Sequence, residues 1–190
     1  MARVRSFVAI LLNDEVRTAI AAEIAHLRPL APRVGWVAPP NLHLTLKFLG
    51  ELPPDALEPA KDGLAEAVAG ETLFSLHFFG LGAFPGMARP RVLWVGVAEG
   101  GPAAQALQAR VEAALTRRGF AREERPFSPH LTLGRVREPR GLAELQQAMG
   151  RDAKMDFGRL EVRALSLMRS DLSPGGRHYT EIAAFPFGSA

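Results

Sequence analysis

The tetrapeptide His-Leu-Thr-Leu occurs twice in this chain of 190 residues, at His43–Leu46 and again at His130–Leu133. Imidazoles with ordinary pKa values near 6.5 can act as general acid and general base at neutral pH. Threonine hydroxyls can donate hydrogen bonds to phosphate oxygens, where negative charge is concentrated. Two histidines and two hydroxyls around one small site would suit hydrolysis of a phosphodiester. One imidazole would take a proton from water, and the other would protonate the leaving oxygen.

The duplication decides how each histidine is interpreted. Either one alone would be read as a half-buried strand residue with an ordinary hydrogen bond. A chance repeat of the tetrapeptide is improbable, and each copy occupies the same place in its half of the chain, so together they favour a site. Neither copy has a second histidine or a carboxylate at a chelating offset, which disfavours a metal centre. We therefore expect neither a metal nor another cofactor.

Both motifs alternate as half-buried strands do, so each histidine shares a face with the threonine two residues later (Thr45 and Thr132) and the leucines form the opposite face. Strict alternation places Lys47 on the His43 face and Phe48 on the apolar face. It places Arg135 opposite His130, so Arg135 reaches the site only if the strand ends or twists there. Lys47 is a candidate phosphate-binding residue on this basis, although a solvated strand end would also explain it. Arg135, which follows the second motif, is a second candidate if the strand does end or twist there.

Aromatic and basic residues near the motifs are candidates for binding a nucleic acid. Trp36 and Phe127 lie next to loops and prolines and could stack on bases. Phe48 and Trp94 lie in apolar strand contexts, and we expect them in the core. Six arginines flank the second motif and could form either a track for a nucleic-acid backbone or an ordinary solvated surface. They are Arg117, Arg118, Arg122, Arg125, Arg137 and Arg140.

The composition is that of a globular protein, with 47% apolar and 23% charged residues and a net charge of +3. The basic residues are 20 arginines against 3 lysines, and the planar guanidinium group suits phosphate oxygens. The chain has no cysteine, which excludes disulfides, thiol nucleophiles and the usual structural zinc sites. No apolar run is long enough to span a bilayer. We expect a cytoplasmic protein whose first segment, Met1–Leu12, is a strand rather than a signal peptide.

These patterns predict strand, helix, strand, helix, strand twice in succession. The order indicates an α+β fold of two lobes related by a pseudo-twofold axis, formed roughly by residues 1–85 and 86–190 of one domain, with the polar faces meeting at a central cleft. The expected strands are Met1–Leu12, Val34–Val37, Leu42–Leu49, Leu73–Leu81, Arg91–Val97, His130–Val136, Leu160–Met168 and Tyr179–Phe185. The expected helices follow Asn13, Pro53 and Pro102 and cover Leu142–Met149, and Gly82–Pro90 is expected to be a connector.

Several segments resemble the bacterial and archaeal RNA 2′,3′-cyclic phosphodiesterases, formerly called 2′-5′ RNA ligases, of the two-histidine phosphoesterase superfamily. The resemblance covers essentially the whole chain. It implies antiparallel sheets, with helices packed outside, flanking a central cleft. The segments are HLTLKFLG from His43, PRVLWVGV from Pro90, FSPHLTLGR from Phe127 and SDLSPGGRHYTEIAAFPF from Ser170.

The resemblance also implies an activity and residue roles. It implies metal-independent action on RNA ends that carry a 2′,3′-cyclic phosphate, tRNA fragments among them, with a 2′-phosphate as product. It makes His43 the proton donor to the departing 3′ oxygen, His130 the base that activates water, and Thr45 and Thr132 the residues that hold the phosphate. The symmetric motifs alone do not assign the two histidine roles.

Two alternatives stay open: a cyclic phosphodiesterase that acts on a small nucleotide, and a module that binds RNA ends without catalysis. The same histidine pair could also run the reaction in reverse, as 2′-5′ ligation. We expect no membrane association and no obligate protein partner.

Overall fold

Nine strands and four α-helices form the described part of a computed structural model of the chain, residues 3–174 and 176–188. The expected first strand includes Met1 and Ala2, which lie outside the described residues. In chain order the elements are β1 (Val4–Leu11), α1 (Asp14–Leu27), β2 (Val34–Trp36), β3 (His43–Leu52), α2 (Leu57–Val68), β4 (Phe74–Phe84), β5 (Val92–Glu99), α3 (Gly101–Thr116), β6 (His130–Val136), α4 (Ala143–Arg151), β7 (Asp156–Val162), β8 (Ala164–Ser173) and β9 (Gly176–Pro186).

Local sequence signals explain where α1 begins. The side chain of Asn13 caps the helix, because its Oδ1 accepts a hydrogen bond of 3.0 Å from the Val16 backbone N–H. Asp14 and Glu15 place negative charge in the first turn, where the helix dipole favours it. The predicted N-terminal cap is therefore confirmed.

The strands differ from the prediction at two places. The segment Leu160–Met168, expected as one strand, is divided at Arg163 between β7 and β8, which belong to different sheets. The expected connector Gly82–Pro90 begins later than predicted, because β4 continues through Phe84. An apolar run alone does not show where a chain leaves one sheet for another, so neither boundary could be found from sequence.

The strands form two antiparallel sheets. The first sheet has the order β3-β1-β8-β9, and the second has the order β2-β6-β5-β4-β7. Helices α2 and α3 pack behind the first sheet through β9 and β3, whereas α1 and α4 pack behind the second through β7 and β4. One apolar core runs between the helices and both sheets, and it includes Val8 and Ile10 from the first sheet and Val95 and Leu131 from the second. The predicted α+β class, with helices outside antiparallel sheets, is confirmed.

The two sheets do not divide the chain at the expected boundary between residues 85 and 86. The first sheet takes β1 and β3 from the first half of the chain but β8 and β9 from the second half. The second sheet takes β2 and β4 from the first half and β5, β6 and β7 from the second. The expectation that each half forms its own lobe is therefore corrected. The strand orders still match under a pseudo-twofold, with β3, β1, β8 and β9 corresponding to β6, β5, β4 and β7.

No helix among the described residues is long and apolar enough to cross a membrane.

Candidate active site

The two His-Leu-Thr-Leu motifs begin two strands that contact each other where the sheets meet, β3 and β6. In each motif the leucine after the histidine is fully buried in the helix-covered core, as Leu44 and Leu131. The histidine and threonine are only partly buried and lie on the face that the helices leave open. The predicted placement of both motifs, with apolar and polar residues on opposite faces of a strand, is confirmed.

Both imidazoles are held in the same way by the backbone. His43 Nδ1 lies 2.7 Å from the carbonyl oxygen of Asn41, and His130 Nδ1 lies 2.8 Å from that of Ser128. A carbonyl oxygen only accepts hydrogen bonds, so Nδ1 carries the hydrogen in both rings. Nε2 is then the nitrogen left to exchange a proton with a substrate, which is the geometry that a general acid or base requires.

The surroundings of His43 are aromatic and enclosed. The ring centroid of Phe7 lies 4.8 Å from the imidazole, and Tyr179 meets it edge-on at 5.3 Å. His43 Nε2 lies 2.9 Å from Thr45 Oγ1. Burial lowers the pKa of His43 below its ordinary value, and the hydrogen bond to the Asn41 carbonyl opposes that shift. Burial therefore favours the neutral form of the His43 imidazole.

The second motif has a related but more open environment. Phe84 meets the His130 ring edge-on at 5.0 Å, much as Tyr179 meets His43. Thr132 pairs across the strands with Trp94, whose ring lies flat over Gly82. A Cβ atom at Gly82 would collide with that ring, so only glycine leaves room for it there. Trp94, expected in the core, therefore lies on the His130 face.

One extra residue interrupts each motif strand at the same position. In β3, Thr45 pairs with Ala9 and Lys47 with Val8, which leaves Leu46 as the bulged residue. In β6, Thr132 pairs with Trp94 and Gly134 with Leu93, so Leu133 is bulged. A bulge of one residue reverses the alternation beyond it. Lys47, Phe48 and Arg135 therefore lie on the faces opposite to those predicted, and in β3 a second bulged residue, Leu49, restores the predicted alternation from Gly50 onward.

The bulge turns Lys47 away from the site. Its side chain is 5% exposed and lies on the helix side of the sheet, where Nζ donates to both carboxylate oxygens of Glu112 at 2.8 Å and to the Ala121 carbonyl at 2.7 Å. The prediction that Lys47 binds substrate beside His43 is wrong. Phe48 takes the cleft-facing position instead, 62% exposed with its ring centroid 6.2 Å from that of Phe7, so its expected place in the core is also corrected.

The corresponding bulge in β6 has the opposite consequence for Arg135. Arg135 pairs with Val92, on the same face as Thr132, and it is exposed. Strict alternation put this residue behind the sheet, and the bulge returns it to the His130 side. Its candidacy as a phosphate-binding residue is consistent with that position and stays a prediction.

The two aromatic residues predicted to stack on bases do not adjoin the histidines. Trp36 pairs with Gly134 on the core side of β2, and its Nε1 donates to the Ala31 carbonyl at 3.3 Å. Phe127 is half-buried and packs against the main core. Trp36 fills space on the core side of its sheet, which corrects the stacking prediction for that residue, whereas the stacking role of Phe127 stays a prediction.

Sequence reasoning missed the rings that do surround the imidazoles, namely Phe7, Phe84 and Tyr179. They come from β1, β4 and β9, which approach the motif strands only through sheet pairing and tertiary contact. No spacing in the sequence relates them to either histidine, so no local signal could have found them.

The arginines around the second motif do not form one free basic surface. Arg117 and Arg118 both pair with Glu66 on α2, and Arg140 pairs with Glu138. Carboxylates therefore neutralise half of the six arginines considered for an RNA track.

No group of three or more histidine, aspartate or glutamate side chains arranged to hold a metal ion occurs within residues 3–174 and 176–188.

The chain is similar to a known family along most of its length. A family model described as the 2′-5′ RNA ligase superfamily matches residues 16–174. A protein of Methanothermobacter thermautotrophicus named RNA 2′,3′-cyclic phosphodiesterase is 33% identical over 183 residues, covering 96% of this chain and 98% of that protein. One of the same name from Archaeoglobus fulgidus is 35% identical over 181 residues, covering 95% and 99%.

Solved structures show the same fold. The apo form of Escherichia coli LigT has a TM-score of 0.77 and 27% identity, covering 98% of this chain and 99% of that one. The complex of the same enzyme with 3′-AMP has a TM-score of 0.74 and 27% identity, covering 97% and 98%. The similarity extends over both sheets and is not confined to the motifs.

Proposed function

The chain belongs to the 2′-5′ RNA ligase superfamily, and on that premise we propose that it is an RNA 2′,3′-cyclic phosphodiesterase that works by paired-histidine catalysis. The observation that carries the proposal is the matched anchoring of His43 and His130, which leaves Nε2 of each ring for proton transfer. The names of the relatives supply the substrate class, an RNA end with a 2′,3′-cyclic phosphate. The LigT complex with 3′-AMP supports a nucleotide site in this fold.

The chemistry needs one proton accepted and one donated. His130 Nε2 takes a proton from water as the water oxygen attacks phosphorus. The bond from phosphorus to the 3′ oxygen breaks, and His43 Nε2 supplies the proton that makes the departing oxygen a hydroxyl. The product carries a 2′-phosphomonoester and a free 3′-hydroxyl. The assignment of acid to His43 and base to His130 follows the family resemblance.

Hydroxyl and guanidinium groups on the strand faces of the two histidines bind the phosphate of the substrate. Thr45 and Thr132 lie two residues beyond the histidines on the same strand faces and can donate to the non-bridging oxygens. Arg135 lies further along the Thr132 face. Its positive charge there would stabilise the additional negative charge that the phosphate oxygens carry in the transition state.

The enclosed position of His43 fits an acid that is charged only when substrate is present. Burial disfavours the protonated form of the imidazole, whereas an anionic phosphate placed beside it favours that form. Substrate binding would therefore raise the pKa of His43 and prepare it to donate a proton to the leaving oxygen.

The same groups could catalyse the reverse reaction, with the 5′-hydroxyl of a second RNA attacking the cyclic phosphate to form a 2′-5′ linkage. The description of the superfamily as 2′-5′ RNA ligases supports ligation as a second candidate reaction. Water is the more abundant nucleophile, so hydrolysis should dominate.

The test uses an oligoribonucleotide that ends in a 2′,3′-cyclic phosphate, with ³¹P NMR to identify the product. His43→Ala and His130→Ala should each lower kcat/KM by at least about 10²-fold. His26→Ala, which changes an exposed histidine on α1, is the matched control and should retain activity. Activity should also survive a chelator. Full activity in either site variant, or a 3′-phosphate product, would contradict the proposal.

A mononucleotide 2′,3′-cyclic phosphate distinguishes the alternatives. Faster turnover of the mononucleotide than of the oligonucleotide would favour a small-nucleotide enzyme. Binding of both compounds without any turnover would favour a module that only recognises RNA ends.

A further inference from the structure

A groove of about 250 Å³ lies on the first sheet beside Glu51, which is at the opposite end of β3 from His43. Its basic residues are Arg3, which precedes β1, Arg5 of β1 and Arg177 of β9. Ser170 and Leu172 of β8 also line it, together with the acidic residues Glu51 and Asp171. We call the surface formed by Arg3, Arg5, Arg177, Ser170 and Leu172 the arginine groove, and the reaction described above uses none of these residues.

The arginine groove opens on the same face of the sheet as His43. Arg5 lies two residues before Phe7 in β1, and the Phe7 ring contacts His43. In the neighbouring strand pair, β8 and β9, Ser170 pairs with Tyr179, whose ring also contacts His43. One continuous surface therefore leads from the catalytic imidazole to the arginines.

The guanidinium groups keep donors for a ligand. Arg3 donates only to the backbone carbonyl of Glu51, at 3.1 and 2.7 Å, and Arg177 donates to the Ser170 hydroxyl at 3.3 Å. Arg5 and the carboxylate of Glu51 are 3.9 Å apart, at the limit of an ion pair, and both are about half exposed. Such an exposed pair contributes little to stability. Asp171 also borders the groove, but it is held by Arg169 at 2.8 Å.

Exposed apolar groups lie along the same face. Phe48, 62% exposed, borders Phe7 between the catalytic end and the arginine groove, and Leu172 at the rim is 77% exposed. A basic groove with an aromatic platform beside it is the arrangement by which proteins bind single-stranded nucleic acid, since bases stack on rings and cations follow the backbone.

The distance along this face from His43 to the arginine groove distinguishes an oligonucleotide from a mononucleotide as the ligand. His43 pairs with Leu11 and Glu51 pairs with Arg5, and these partners are six residues apart in β1, so this part of the face spans about 20 Å at the usual rise of a strand. A single nucleotide held at the histidines does not extend that far, whereas a strand of about four or more nucleotides does.

From these observations we propose that the arginine groove binds backbone phosphates of the single-stranded RNA that leads to the cyclic end, with Phe48 stacking on a base between the two sites. This inference rests on the proposed function, because it takes the reactive end to lie at His43 and His130. It assigns to the protein a second, non-catalytic phosphate site, which favours oligonucleotides over mononucleotides.

The experiment compares an eight-nucleotide RNA ending in a 2′,3′-cyclic phosphate with a mononucleotide 2′,3′-cyclic phosphate. The double variant Arg5→Ala/Arg177→Ala should lower the ratio of kcat/KM for the octamer to that for the mononucleotide by at least about 10-fold. The dependence of log kcat/KM for the octamer on log salt concentration should become shallower by about 1.4, because two phosphate contacts are lost. Phe48→Ala should lower the same ratio without changing the salt dependence.

Two further variants control for charge and folding. Arg28→Ala/Arg151→Ala removes the same charge from exposed positions on the side of α1 and α4, and it should leave the ratio unchanged. Arg5→Lys/Arg177→Lys keeps both charges and should restore most of the salt dependence. An equal loss on both substrates, or an unchanged ratio in the alanine variant, would overturn the proposal.

Failure of the proposed function gives a different result. The wild type would then turn over neither compound, and binding of an octamer with an ordinary 3′-hydroxyl, measured by fluorescence anisotropy, would test the arginine groove by itself. Equal affinity of the wild type and the alanine variant for that octamer would overturn the proposal that the arginine groove binds RNA phosphates, independently of catalysis.

Discussion

At the scale of single residues, identical motifs are placed in unequal surroundings. His43 is enclosed by Phe7 and Tyr179, whereas His130 has one aromatic neighbour and a more open position. Burial consequently lowers the pKa of His43. The difference gives chemically equivalent side chains a physical basis for different roles.

The first prediction concerns the titration of His43. In the free protein its pKa should lie below 6.5, and a bound phosphate monoester should raise it, because the phosphate anion stabilises the imidazolium. NMR of the histidine side chains, with His43→Gln to assign the signal, measures both values. A pKa of 6.5 or higher in the free protein would contradict the burial argument.

The lowered pKa also affects stability. Below pH 6.5 the unfolded chain binds a proton at His43 more readily than the folded chain does, so this contribution is complete above pH 6.5 and is lost as pH falls through the folded-state pKa. The free energy of unfolding should therefore decrease more steeply on acidification in the wild type than in His43→Gln.

The second prediction concerns Lys47, whose ammonium group is buried against Glu112. Lys47→Met should lower the free energy of unfolding by about 3–5 kcal/mol, because it leaves the largely buried Glu112 carboxylate without a cation and with only the Glu123 backbone N–H to bind it. The double variant Lys47→Met/Glu112→Leu should recover most of that loss. Urea denaturation measures both effects. A near-neutral Lys47→Met variant would instead indicate the exposed, cleft-facing lysine that simple alternation predicts.

At the scale of elements, one bulged residue determines which side chains reach the site. The alternation in β3 and β6 correctly predicts strands and correctly places the histidines and threonines. It fails beyond each bulged residue, at Lys47, Phe48 and Arg135, because Leu46 and Leu133 each add an unpaired position. The sequence shows no special residue at either bulge, since both are leucines in an apolar strand.

The third prediction tests the bulge through packing. Phe48→Ala should change the free energy of unfolding by less than about 1 kcal/mol, because the ring is mostly exposed. Leu46→Ala should cost about 2–5 kcal/mol, because that side chain is buried in the core. Chemical denaturation of both variants provides the comparison. A Phe48→Ala loss as large as that of Leu46→Ala would return Phe48 to the core and remove the bulge.

At the scale of the whole molecule, the chain exchanges strands between its halves. The first sheet is incomplete without β8 and β9 from the C-terminal end, and the second is incomplete without β2 and β4. Neither half has a closed core, because one apolar cluster runs through both sheets.

The fourth prediction follows from this exchange. A fragment of residues 1–85 should show no cooperative unfolding when studied alone, because β1 would lose its β8 neighbour and the apolar face of the sheet would be exposed. Mixed with residues 86–190, it should regain cooperativity, as measured by circular dichroism during urea titration. Cooperative folding of residues 1–85 alone would mean that the halves are independent lobes after all.

The sequence by itself determined the histidines and threonines of the candidate site and most of the local structure of this protein. Residue types and spacing placed His43 and His130 on strands with their threonines, and the pattern of the chain gave the α+β class and most element positions. These are local properties, because alternation and capping depend on residues close together in the chain. Only the tertiary structure decided which strands share a sheet, where Lys47 and Arg135 point, and that Tyr179 and the arginine groove lie on the His43 face. Those outcomes depend on pairing between segments far apart in the chain, which local spacing does not encode.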